Sequence, residues 1–462
     1  MFKYIKKFNT HAEYESFISD DFIHPNVSLC AEENEVHYNP VETRIVVKYD
    51  VDANNETKLY TYLNEEDIYS VSGIDMFDEI EIDGTVVNIT DIDNAQGTYV
   101  FTDAGEHIVK YTIKDPEFVG IEMEEQGFVP VITRIGATFN ECEDIVSIYI
   151  PNSVTVIGRS FLSGCYNLKN IGIPVNVTSI GNSAFSNCNA LRNLFIPKKV
   201  SNIDDTAFEG CTFTSITVDS ENTVYDSRNN CNAINETATN TLLLASSNTV
   251  IPNSIVKIGN HAFEKLGIAS INIPDSVTTI GESAFKDCVN LTNITVGNGL
   301  TDIKQNAFMR CRYLTNIELP SHMENIDSRV FESCNRLASI VIPEGITIIN
   351  EGTFRSCNSL SNITLPNSLK YIDSDVFVGC SALTSITLPS GFLGISENVF
   401  SSSGVKTITS LATTAPEIYE FTFKGIQTGG TLYVPQGSTG YDVWMGTGNY
   451  YLGKYNWTKV EN

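Results

Sequence analysis

Most of this chain is written in two short patterns that alternate apolar and polar residues. One is Ile-x-[Ile/Leu]-Pro, as in Leu314-Thr315-Asn316-Ile317-Glu318-Leu319-Pro320 and Leu383-Thr384-Ser385-Ile386-Thr387-Leu388-Pro389. The other is Val-Thr-x-Ile-Gly, as in Val177-Thr178-Ser179-Ile180-Gly181 and Val277-Thr278-Thr279-Ile280-Gly281. Both have period two, are rich in β-branched residues and stop at Pro or Gly, which predicts short strands. Between them stand a Phe and a Cys three residues apart. Phe139/Cys142, Phe185/Cys188 and Phe208/Cys211 keep a 23-residue period, and Phe285/Cys288, Phe308/Cys311, Phe331/Cys334, Phe354/Cys357 and Phe377/Cys380 resume it.

A period of that length with strand-like segments predicts a solenoid. A single coil points only about seven apolar side chains inward, too few to offset the backbone entropy of ordering it, so the coils are stable only when stacked and capped. The imperfect rungs, Leu162 before Cys165, Leu266 after Phe263 and Ser403 after Phe400, suggest that an apolar residue of middling size is what each position needs.

The fold expected is mainly β, a solenoid of about 11–12 turns behind a small Ig-like sandwich. Residues 1–42 form an N-terminal attachment segment. Residues 43–118, where Arg44-Ile45-Val46-Val47-Lys48-Tyr49 and Gly105-Glu106-His107-Ile108-Val109-Lys110-Tyr111 alternate, form the sandwich. The repeats span 119–426 and a cap spans 427–462. Phe208 to Phe263 covers 55 residues where two coils need 46, so an enlarged turn at about 212–250 is expected to carry a protruding hairpin rather than a domain boundary. The last stretch abandons the period and gathers Tyr441, Trp444, Tyr450, Tyr451, Tyr455 and Trp457, aromatics suited to covering an open end.

Charge narrows the partners. A formal net charge of −27 argues against nucleic acid and favours solubility through self-repulsion. No stretch is apolar enough to insert in a bilayer, and the N-terminal residues do not read as a secretion signal. Of eleven cysteines, nine share one phase of the repeat; side chains in register point the same way, which predicts free buried thiols rather than disulfides. With no CxxC pair and six scattered histidines, no metal site is expected.

The pattern Ala-Phe-x-x-Cys-x-x-Leu-Thr-x-Ile-x-Ile-Pro-x-Ser-Val-Thr-x-Ile-Gly resembles the BspA-type leucine-rich repeat over roughly two thirds of the chain. Val224-Tyr225-Asp226-Ser227-Arg228-Asn229-Asn230-Cys231-Asn232-Ala233-Ile234 is similar to the enlarged turns of Bacteroidales members. That resemblance implies surface binding and adhesion without catalysis or cofactor. Near the N-terminus, His24-Pro25-Asn26-Val27-Ser28, Glu35-Val36-His37-Tyr38-Asn39-Pro40 and the Ig-like strands resemble virion proteins (fibre, tail or decoration) of crAss-like phages infecting gut Bacteroidales. This second resemblance implies a virion location, reached by lysis without a signal, with residues 1–42 attached to virion structural proteins and the repeats facing a host glycan or protein. The alternative is a bacterial cell-surface adhesin. A homo-oligomer is compatible with either, although no heptad run specifies one.

Catalytic motifs are near misses. Gly448-Asn449-Tyr450-Tyr451-Leu452-Gly453-Lys454-Tyr455 has phosphate-loop spacing but Tyr455 where Ser or Thr belongs. Asp50-Val51-Asp52-Ala53-Asn54 starts like a calcium loop but continues with Asn55 instead of Gly, and Asp91 and Asp93 flank a turn. The acid pair Glu124/Glu125 has no measurable carboxyl separation in sequence. If binding is the function, the candidates are outward strand positions that vary while inward ones hold: Tyr149, Phe195, Glu318 and Val341 in the Ile-x-Ile column, and Lys257, Ile348 and Tyr371 in the Val-Thr-x-Ile column. The plainer explanation for any single one is β-propensity.

Overall fold

A computed structural model describes residues 44–51, 56–59, 77–87, 98–113, 122–126, 129–135, 139–448 and 450–462. The described residues contain strands, tight bends and two short 3-10 helices, and no α-helix. No helix among them is long and apolar enough to cross a membrane. The repeats stack as a β-solenoid of about 14 turns with the 23-residue period. The chain forms two compact units, Met1–Ser227 and Arg228–Asn462. It passes from one to the other inside the enlarged turn, where the sequence suggested no boundary.

The coil itself explains the sequence period. Most coils have a strand of the Ile-x-Ile set and a two-residue strand of the Val-Thr-x-Ile set, joined by a bend around the Phe. In the bend of Phe285, Ser283 (φ 54°) and Asp287 (φ 57°) are left-handed. Alternation of left-handed residues with Phe285 points three N–H groups at the next coil: Ser283 to Gln305 O (2.9 Å), Phe285 to Ala307 O (2.7 Å) and Asp287 to Met309 O (2.8 Å). Asn, Asp and Ser tolerate this conformation, and Gly takes it at Gly379 and Gly425. Arg310 and Arg329 adopt it too, and the inter-coil bonds from their N–H groups to Glu332 O and Glu351 O hold them there.

The Cys position is more than a mid-sized apolar site. Cys334 Sγ donates to Phe308 O (3.2 Å), Cys357 to Phe331 O (3.1 Å) and Cys380 to Phe354 O (3.1 Å), and Cys165, Cys188, Cys211, Cys288 and Cys311 repeat the contact. Each such carbonyl also accepts an N–H of its own coil, from the Cys as Phe308 O does from Cys311, or from Leu266 at Phe263 O. The thiol therefore ties successive coils together. All ten described cysteines are free and buried.

In the first unit, the N-terminal strands join the repeat sheets. Arg44–Val51 pairs antiparallel with Gly105–Ile113 on one side and with the repeat strand Ile145–Tyr149 on the other, with Val47 facing both Val109 and Ile148. Glu122–Gln126 and Val129–Ile135 form a hairpin whose second strand starts the other ladder, Ile135 against Ile157. These strands cover the first coil's open edges, and the sheet runs across the boundary expected at 118. Tyr49 and Tyr111, both fully buried, donate to Leu59 O and lie 2.8 Å apart at their hydroxyls. Residues 1–42, expected to be an attachment segment, and much of the span expected to form a sandwich lie outside the described residues.

The second unit opens with the hairpin Ala233–Glu236 and Thr241–Ala245. Contrary to expectation it does not protrude: Leu242 pairs in parallel with Ile258, and Cys231, Ala233 and Leu242 are buried. At the other end the strands continue after the sequence period stops, Thr387 lying in register with Thr409, then Tyr433, then Val460. Trp444 packs on Phe423 (5.3 Å) and donates to Pro416 O, while Trp457 donates to Gln427 O. Gly430 leaves room for the Trp457 ring, which a Cβ would meet at 2.3 Å. Tyr455 Oη accepts from Gly425 N–H, so the phosphate-loop look-alike is part of the packing of this end.

Candidate binding faces

Inward residues of the coils are spent on packing, so the faces left for function are the outward columns. In the first unit, Phe195 is exposed (46%) on Asn193–Ile196, opposite Thr217. Tyr149 is half-buried, because Arg44–Val51 lies beside its strand with Val46 opposite it. It is not on a free face.

In the second unit, Val341 is 63% exposed and stands opposite Thr364. Glu318 is exposed, but its segment forms no strand although Ile317 beside it stays buried. The Val-Thr-x-Ile column brings two candidates together: Ile348 and Tyr371 are direct register partners, and Tyr371 is followed by Gly394 and then Glu417. Ile348 is 42% and Tyr371 44% exposed. A Cβ on Gly394 would lie 3.3 Å from Tyr371 Cδ1, so the glycine is a ledge on which the phenol ring rests. Lys257 is exposed in the same phase but is separated from Ile348 by Thr279, Asp302 and Asn325.

One arrangement was missed at the level of sequence. The Arg336 guanidinium carbon lies 4.3 Å from the Tyr313 ring centroid. Both residues sit two positions after a ladder Cys, outside either strand column, and only the 23-residue phase shows that they are neighbours.

The buried ionisable groups serve structure. Burial pushes the thiols of Cys311, Cys334 and Cys357 well up, and that of Cys380 to about 12, so they stay protonated and are poor nucleophiles and metal ligands. Glu264 is buried, which opposes ionisation, yet hydrogen bonds from His261 (2.5 Å) and Lys286 (2.9 Å) outweigh that and hold its carboxyl below the usual range. His107 is engaged by Asp83 at 2.7 Å. The turn Asp91/Asp93, residues 52–55, and His11, His24 and His37 lie outside the described residues.

The model of the BspA type leucine rich repeat region matches in six copies, over residues 111–237, 240–361 and 347–442. A leucine-rich repeat protein of T. pallidum is 29% identical over 33% of this chain and 75% of its own, with a TM-score of 0.30. One from Bacteroides ovatus is 20% identical over 83% of this chain and 99% of its own, with a TM-score of 0.43. A leucine rich cell surface protein of Faecalibacterium prausnitzii is 25% identical over 59% and 88%, with a TM-score of 0.34. Among curated proteins none matches. With the repeated bend, both strand ladders and a family match over more than half its length, the chain belongs to the BspA-type leucine-rich repeat family.

Proposed function

We propose that this protein is a non-enzymatic binding protein that holds a glycan or protein of a host cell on the outward columns of its coils. The observation that carries this reading is the Ile348–Tyr371–Gly394 row: two large apolar side chains in register, more than two-fifths exposed, with the ring bedded on a glycine. A ring already held in place loses little freedom when a ligand covers it, so more of the contact energy appears as affinity. Flanking Asn325 and Glu417 supply the hydrogen-bonding edge that an apolar strip needs for specificity.

The test is binding of the full chain to immobilised glycans and to gut epithelial and bacterial cells. Tyr371→Ala is expected to weaken binding while leaving thermal stability within about 0.5 kcal/mol, the usual range for a surface change. Undiminished binding by Tyr371→Ala and Ile348→Ser together would count against these residues. Glycan turnover abolished by a single carboxylate substitution would overturn the non-enzymatic reading. We further propose the virion location for which residues 1–42 supply the attachment, the cell envelope being its alternative. Fractionating particles from host envelopes decides between them.

A further inference from the structure

We propose that Arg312, Tyr313 and Arg336 form a second binding site, for the oxyanion of an acidic saccharide. The second unit contains six arginines, and four of them are engaged. Arg310 faces Asp287 (3.5 Å), Arg329 pairs with Glu351 (2.5 Å), Arg355 pairs with Asp375 (3.0 Å) and Arg228 donates to Asn240 (2.7 Å). Among the described residues Arg312 and Arg336 make no ion pair, although acidic side chains are abundant in this chain of net charge −27. Both are exposed, on successive coils, and Tyr313 between them is 43% exposed.

Geometry selects the ligand class. With its guanidinium carbon 4.3 Å over the Tyr313 ring, Arg336 keeps N–H groups available for a carboxylate or sulfate. Arg312 adds a second cation in the adjoining sequence position, and the remaining exposed part of the phenol offers an apolar surface to the C–H face of a sugar. A saccharide is favoured over an acidic peptide because its C–H face can lie on the phenol ring while its oxyanion meets Arg336; poly-glutamate carries the charge without that face and separates the two. Uronate carboxylate and sulfate ester satisfy the same groups.

The experiment titrates the full chain with oligogalacturonate, dextran sulfate, neutral dextran and poly-glutamate at low and raised salt. Oligogalacturonate or dextran sulfate is expected to bind, more weakly as salt rises, and dextran not to bind; whichever of the two binds tells carboxylate from sulfate. Arg336→Ala and Tyr313→Leu are each expected to cost about ten-fold or more in affinity. Arg336→Lys, which keeps the charge and loses the planar guanidinium, is expected to fall between. Unchanged melting of these exposed variants, and unchanged binding by Lys424→Ala, which removes a cation held 5.5 Å over the Phe421 ring elsewhere in the unit, tie the loss to the patch. The proposal is overturned if neither anionic saccharide binds, if binding survives Arg336→Ala, or if poly-glutamate binds as tightly. This site does not rest on the Tyr371 row: Tyr371→Ala leaves anionic binding intact if both are right, and failure of either leaves the other standing.

Discussion

The two units bury the same residue types along the Phe ladder and arrange them differently. From Phe263 to Phe423 consecutive rings lie 4.7 to 6.2 Å apart with interplanar angles of 5° to 17°. In the first unit Phe139, Phe161 and Phe185 meet at 75° and 86°, and only Phe185 and Phe208 stack, at 7°. The cause is a one-residue displacement. Leu162 holds the backbone place of the Phe, donating to Ala184 O as Phe263 does to Ala284 O, and the ring comes from Phe161 in the place usually held by Ala. Both side chains are fully buried. Burial is satisfied by either placement, while ring geometry follows from which Cα carries the ring; hydrophobic stabilisation is non-directional and edge-to-face packing is as acceptable as offset stacking.

The strongest way to break the stacked run is alkali. Cys311, Cys334, Cys357 and Cys380 ionise in the unfolded chain near the ordinary value of 9.0, whereas burial raises them in the folded unit, Cys380 to about 12. Their contribution to stability is thus complete below pH 9 and is lost as pH rises toward the folded values, by roughly 1.4 kcal/mol per pH unit and thiol. Because the thiols lie on consecutive coils, their losses fall on one stretch of the stack. Segment-resolved hydrogen exchange is expected to show residues 285–380, where burial raises Cys288 as well, losing protection as pH rises above 9. Protection there that is flat between pH 9 and 11 would show that the thiols are not buried as described.

Next in size is Phe308→Ala, which removes a fully buried ring between Phe285 at 5.1 Å and Phe331 at 5.7 Å. The cavity is expected to cost about 3–5 kcal/mol in denaturant unfolding. A cost below about 1 kcal/mol would mean that the coil collapses around the gap. Cys334→Ala is milder: it removes the bond to Phe308 O and a small volume, but Cys311 N–H still satisfies that carbonyl. About 1–2 kcal/mol is expected, and a neutral result would return the position to mere packing.

What was legible in the sequence follows from where each constraint acts. The Phe–Cys spacing is a local expression of the coil, so the solenoid and its free buried thiols were readable. The thiol bond to the preceding Phe carbonyl was not, because Leu266, which has no side-chain donor, made the position look merely apolar, although the Ser403 hydroxyl, which donates to Phe400 O, hinted otherwise. Continuation of the stack beyond Ile426 was hidden because the coils from Thr407 to Thr431 and from Thr431 to Thr458 lengthen, and register is held by Trp444 and Trp457 in place of the motif. Ile348 and Tyr371 could be found from the strand phase. Tyr149 was misjudged because its neighbour comes from Arg44–Val51, far away in sequence. Tyr313 and Arg336 lie where the repeat imposes no residue type, which leaves only their contact to mark them.

The smallest expected effect tests the comparison most directly. Exchanging the two residues, Phe161→Leu with Leu162→Phe, puts the ring of the first unit on the position that carries it in the second. Phe161→Leu alone leaves a small cavity and is expected to cost about 1–2 kcal/mol. Leu162→Phe alone overfills a closed core and is expected to cost about 1–3 kcal/mol. The pair conserves total volume and places the ring on the Cα from which Phe185 and Phe208 stack, so stability is expected within about 1 kcal/mol of the starting protein. In a crystal structure of the double variant the ring at 162 should lie nearly parallel to Phe185. If instead the two costs simply add, the perpendicular packing is imposed from the N-terminal side, where Tyr111 meets Phe139 at 66° and 5.3 Å. Strands outside the repeat would then be dictating the ring geometry of the first coils, and the displaced Phe161 would be the sequence's response to that neighbour rather than a neutral variant of the motif.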